Sequence, residues 1–124
     1  MTEIAPAFQP TNGRVKVANE VIAQIAAMTA LQVPGVAGVA DRTNQITRVI
    51  RRGGIHKGVR VELDGEDTLR LQLFLVGDSG KNLPDLASRV QQDVVAAVDR
   101  MLGLSTSSVD VYFVDVRFHE APAG

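Results

Sequence analysis

The sequence predicts an α/β fold of the α+β kind: a two-layer domain with helices packed on one face of a mixed sheet, in the order β-α-β-β-α-β. Three observations predict it. Val59, Val61 and Leu63 alternate with Arg60 and Glu62, Asp64-Gly65 supplies turn residues, and Leu69, Leu71, Leu73 and Leu75 alternate beyond them, the pattern of a β-hairpin. Leu83, Leu86, Ala87, Val90, Val94, Val98, Met101 and Leu102 recur at three- and four-residue intervals, the stripe of an amphipathic helix. Val109 and Val111 alternate with Asp110 and open a final strand that runs to Phe118. A chain of 124 residues can bury a core without staples, and with no cysteine it has neither disulfides nor thiolate chemistry.

Each element has its own signal. Residues 1–12, with Pro6 and Pro10, read as a flexible arm, residues 13–118 as the single domain, and residues 119–124 as a short tail. Arg14-Val15-Lys16-Val17 alternates like a short strand, and Asn19 suits the N-cap of a helix, with Glu20 near the positive end of its dipole. The expected buried stripe of that helix is Val21, Ile22, Ile25, Ala26 and Thr29, with Met28 at its margin and Val33-Pro34-Gly35 as its stop. Val21 to Ala40 carries no charge, but Gln24, Thr29, Gln32 and Pro34-Gly35 argue for a core helix and turn rather than a membrane span.

Residues 41–56 read as a short extra helix or a loop, since Ile46, Val49 and Ile50 share a helical face that Gly53-Gly54 would end. In the second helix Asn82 fits the N-cap, Pro84 the first turn and Gly103 the C-terminal left-handed position, while Asp85, Arg89 and Asp93 lie on the solvent side. Ser105 to Ser108 read as a loop before the final strand. Within that strand Tyr112, Val114, Val116 and Phe118 form a second apolar set, opposite Asp115 and Arg117. Either a bulge near Tyr112 changes the phase, or both faces of the strand are covered.

Catalytic constellations are scarce. Gly77-Asp78-Ser79-Gly80 resembles a protease nucleophile region only superficially; a turn into the second helix explains it, because the chain is too short for two β-barrels. His56 lies among bases and His119 in the tail, a poor basis for metal binding, and no carboxylate pair suggests acid–base catalysis. No enzyme activity, cofactor or metal is therefore expected. The first base, Arg14, follows an acid at Glu3, so the beginning of the chain lacks a signal-peptide pattern and points to the cytoplasm.

Charge is unevenly distributed. Six of the 13 bases and none of the 14 acids lie between Arg42 and Arg60, although the net charge is −1. Within that run Arg48, Arg51, Arg52, Lys57 and Arg60 are the candidate partner-binding residues, with a solvated loop as the plainer explanation. Nucleic acid is the alternative partner. Against it, the glycines at 53, 54 and 58 do not have the Gly-x-x-Gly spacing of a KH loop, and the chain has no Trp and a single Tyr for base stacking. The candidate self-association face comprises Phe74 and Val76, opposite Leu71, Leu73 and Leu75, together with Tyr112, Val114, Val116 and Phe118.

From GRVKVANEVIAQIA through VPGV at Val33 to Val36, KGVRVEL at Lys57 to Leu63, VQQDVVAAVDRMLGL and VDVYFVDVRF, the chain resembles the alkaline shock protein family, the Gls-type envelope stress response proteins of Gram-positive bacteria. The resemblance implies a small α/β domain without enzymatic activity, in a cytoplasmic protein of cell envelope homeostasis. It also implies a homo-oligomer that gathers at the membrane through a membrane-anchored partner, without inserting itself. Met101-Leu102-Gly103-Leu104 departs from the family by a Leu where many members have Thr, and the tail after Phe118 is short.

Overall fold

A computed structural model of the protein describes residues 16–40, 55–56, 58–64 and 68–118. In chain order the elements are α1 (Asn19–Leu31), β1 (Val36–Val39), β2 (Ile55–His56), β3 (Val59–Leu63), β4 (Thr68–Asp78), α2 (Leu83–Leu102) and β5 (Ser105–Arg117). The 11-residue β4 is the central strand. Along one edge it pairs in parallel with β5; along the other it pairs antiparallel with β3 in its first half and with β1 in its second. The short β2 lies outside β3. The sheet is mixed, as the sequence predicts, and β4-α2-β5 forms its parallel crossover unit.

Both helices pack on one face. Leu69, Leu71, Leu73 and Leu75 of β4, Val59 and Val61 of β3 and Val109 of β5 meet Ile22, Ala23, Ala26, Ala27 and Ala30 of α1 and Leu86, Val90, Val94 and Val98 of α2. Among the described residues no polar or charged side chain is buried there. The hairpin register sets Val61 against Leu71 and Leu63 against Leu69. Asp64 donates its backbone N–H to Thr68 at 2.7 Å, while residues 65–67 of the predicted turn lie outside the described ones.

Several details depart from the sequence expectations. The N-cap of α1 is Ala18, without a side-chain cap, and Asn19 is the first helical residue. The face of α1 is rotated from the expected stripe: Val21 and Met28 are exposed, whereas Ala23, Ala27 and Ala30 are buried. Alanine lets a helix approach its neighbours closely, so the small residues, not the largest ones, mark the packed side. Lys16 and Val17 are not in a strand, and Arg14 and Val15 lie outside the described residues. The expected helix or loop at 41–56 lies outside them too, apart from the backbone of β2.

β1 is not among the expected elements. It follows the turn at Gly35, whose φ of 108° suits only glycine, and it sets Val39 against Leu75. Ser105 to Ser108 belong to β5 rather than to a loop. They pair with Thr68 to Arg70 at the wet end of the sheet, where the Ser107 hydroxyl lies 3.2 Å from both Asp64 Oδ2 and the Leu69 carbonyl. Helix α2 follows its signals closely: Asn82 Oδ1 accepts from the Asp85 N–H at 3.0 Å, and Gly103, at φ 70°, donates to the Asp99 carbonyl.

Candidate functional site

Opposite the helices, the sheet presents a second face on which no described element packs. Its side chains come in rows set by the register. Arg60, Gln72 and Asp110 form one row, Glu62, Arg70 and Ser108 the next, and Phe74 and Tyr112 a third. Beyond them Val76 stands between Gly38 and Asp115. The rings of Phe74 and Tyr112 stack at 5.2 Å with an interplanar angle of 15°. Tyr112 is nevertheless 44% exposed and Val114 39% exposed, so the apolar end of this face is wet in the single chain.

A bulge divides the expected self-association face. Phe113 is opposite Leu75 and Asp115 is opposite Val76, which leaves Val114 as the extra residue. The phase therefore slips by one. Val116 falls opposite Gly77, and a Cβ added to Gly77 would run into Leu83 of α2, so Val116 lies on the helix side of the sheet. Phe118 lies past the end of β5 and is 78% exposed. The structure thus brings together Phe74, Val76, Tyr112 and Val114 of the expected set, and separates Val116 and Phe118 from them.

Of the candidate basic residues, Arg48, Arg51, Arg52 and Lys57 lie outside the described residues. Arg60 belongs to the charged end of the uncovered face, where its guanidinium is 3.1 Å from Glu62, two residues along the same strand. Its Nε is buried without a hydrogen-bond partner among the described residues. Gly77 to Gly80 are the end of β4 and a turn: Asp78 Oδ1 accepts from the Gly80 N–H at 2.9 Å, and the Ser79 N–H donates to the Arg117 carbonyl at 3.0 Å. Among the described residues no group of three or more His, Asp or Glu is placed to hold a metal ion. A groove of about 360 Å³ between Val33-Pro34 and the start of α2 is lined also by Lys81, Asp85 and Arg89. Arg89 is already held by Asp93 at 3.1 Å.

One contact escapes sequence reading. Gln91 Nε2 reaches from α2 to the Val109 carbonyl at 2.9 Å, on the outer edge of β5. A polar residue beside the buried Val90 gives no sign of this role, because the partner is a backbone group 18 residues away. Nor does any described helix have the length and apolarity to cross a membrane.

Residues 7–118 match the model of the alkaline shock protein 23 family, which is described as having a cell envelope-related function. The chain belongs to that family. The resemblance to alkaline shock proteins is thereby shown. This alkaline shock family protein is similar to the uncharacterised proteins YloU and YqhY of Bacillus subtilis (strain 168). The first is 31% identical over 109 residues, covering 85% of this chain and 89% of that protein. The second is 33% identical over 109 residues, covering 86% and 78%. Among solved structures, one of the MamM C-terminal domain (MamM-CTD H264A) gives a TM-score of 0.47 at 20% identity, covering 83% of this chain and all of that one. The family's description is envelope-related and names no enzymatic activity.

Proposed function

We propose that this alkaline shock family protein is a non-catalytic scaffold of the cell envelope that works in the cytoplasm as a homo-oligomer, in the envelope stress response, and is recruited to the membrane by a membrane-anchored partner protein. The observation that carries the reading is the uncovered sheet face, where stacked Phe74 and Tyr112 lie with Val76 and Val114 beside a row of mixed charge. Apolar side chains gathered on an exposed face gain from being covered by another surface. The family's cell envelope-related description supports the setting. In this reading the basic run, Arg48, Arg51, Arg52, Lys57 and Arg60, meets an acidic partner surface and steers association. Nucleic acid is disfavoured, since the chain has no Trp for base stacking and its single Tyr, Tyr112, already stacks on Phe74.

Val114→Lys tests the reading. Val114 is a bulge residue already 39% exposed, so a lysine there should change the stability of the single chain by no more than about 0.5 kcal/mol. Sedimentation should show wild type heavier than the 13.3 kDa chain and the variant lighter than wild type, while circular dichroism shows that the variant stays folded. Wild type that remains a monomer at high concentration rejects the self-associating scaffold.

A further inference from the structure

The outer edge of β5 is a second surface, distinct from the uncovered face. Which backbone groups point outward follows from the ladders. The N–H and C=O of Phe74 bond to Gly58 and Ala40, and the Thr68 carbonyl accepts from Asp64, so the even-numbered residues of β4 turn their backbone groups to the β1 and β3 edge. The odd-numbered ones face β5. Because Leu71, Leu73 and Leu75 stand opposite Val109, Val111 and Phe113 in a parallel ladder, these three β5 residues direct their own N–H and C=O groups away from β4. The bond from Gln91 to the Val109 carbonyl agrees with that assignment. No described strand pairs with this edge.

Unpaired edges invite another strand, and proteins usually blunt them with lysine, proline, bulges or short length. β5 runs for 13 residues without lysine or proline. It has irregularities at Ser107 and Val114, which leave residues 108–113 as a straight segment. Inside that segment the three outward-facing residues are evenly spaced about Val111.

We propose that a second copy of this chain docks on this edge, β5 against β5, antiparallel about a two-fold axis at Val111. The register is self-complementary. Val111 meets Val111, and Val109 meets Phe113 of the second copy, on the side of the helices and the core; the Val109 carbonyl, which accepts from Gln91 in the single chain, then takes the Phe113 N–H of the second copy on its other lone pair. Asp110 stands opposite Tyr112 of the second copy on the other side, so the carboxylate can accept from the phenol and the two aspartates are not set against each other. The outward N–H and C=O groups of Val111 satisfy each other across the axis, and the sheets of the two copies become continuous. Centring the axis on Val109 or Phe113 instead would carry the pairing into a bulge. The proposal deepens the self-association reading while using a different surface, and the experiment separates the two.

The chain contains no cysteine, so introduced thiols report alone. In this register positions 110 and 112 form a non-hydrogen-bonded pair with α-carbons about 4.5 Å apart, within reach of a disulfide. Under oxidation, a mixture of Asp110→Cys and Tyr112→Cys chains is expected to cross-link, with loss of most of that product when either variant is oxidised alone. Val111→Pro removes an N–H that bonds nothing among the described residues, so the variant should keep its circular dichroism and lose the mixed cross-link. Should Val111→Pro fail to fold, the comparison of the mixture with the single variants still decides. A mixture that gives no more disulfide than the singles overturns the proposal, leaving the edge to a strand of another protein or to none. So does a cross-link that survives in folded Val111→Pro chains. Dissociation by Val114→Lys with no effect of Val111→Pro on mass would leave the face reading standing and remove the edge.

Discussion

Gly58 stands where two strands meet end to end against Phe74: its carbonyl accepts from the Phe74 N–H at 2.8 Å, and the Phe74 carbonyl accepts from the Ala40 N–H at 2.7 Å. At φ 82°, with an added Cβ running into the Ala40 carbonyl oxygen, no other residue fits there without moving the end of β1. Gly58→Ala should cost at least about 2 kcal/mol, read as a fall in the urea midpoint at unchanged slope. Gly38 provides the control, because a Cβ there meets nothing within 4 Å on the uncovered face. Gly38→Ala should be neutral or stabilising by about 0.5 kcal/mol, through the lower entropy of the unfolded chain. Equal losses at both positions would mean that β1 and β3 do not share the edge of β4.

Among the elements, α2 and the hairpin were the most legible, because their signals agree: Asn82 and Gly103 mark the ends of the helix that the stripe from Leu86 to Val98 fills. Val94 is fully buried in the core cluster, and Val94→Asp should unfold the chain or leave it aggregated, since a buried carboxylate without a partner costs several kcal/mol. Its neighbour Asp93 makes an exposed pair with Arg89, and Asp93→Ala should cost less than about 1 kcal/mol. Thermal melts of the two variants distinguish them, and similar losses would contradict the helical phase. α1 was harder to phase because alanines hold its packed side, and their signal is weak beside Val21 and Met28. The candidate face was legible as far as Val114. Beyond it, the bulge that the drifting alternation offers as one of two alternatives falls at Val114 and transfers Val116 to the helix side; alternation alone neither chooses between the alternatives nor places the extra residue.

For the whole molecule, strand order was the least legible feature. That β1 and β3 occupy successive parts of one edge of β4 depends on pairings between segments far apart in the chain, which no local pattern encodes. The same arrangement puts both helices on one side and leaves Phe74, Val76, Tyr112 and Val114 on the other, so the proposed scaffold role rests on this topology. The chain supplies its own probe of that face, because it has one tyrosine, Tyr112, and no tryptophan. Acrylamide quenching of Tyr112 fluorescence, followed from dilute to concentrated protein, therefore reads the central claim directly. If the face is an interface between copies, quenching falls as concentration rises, in step with the sedimenting mass, and stays high in Val114→Lys; quenching that is the same at every concentration would contradict it.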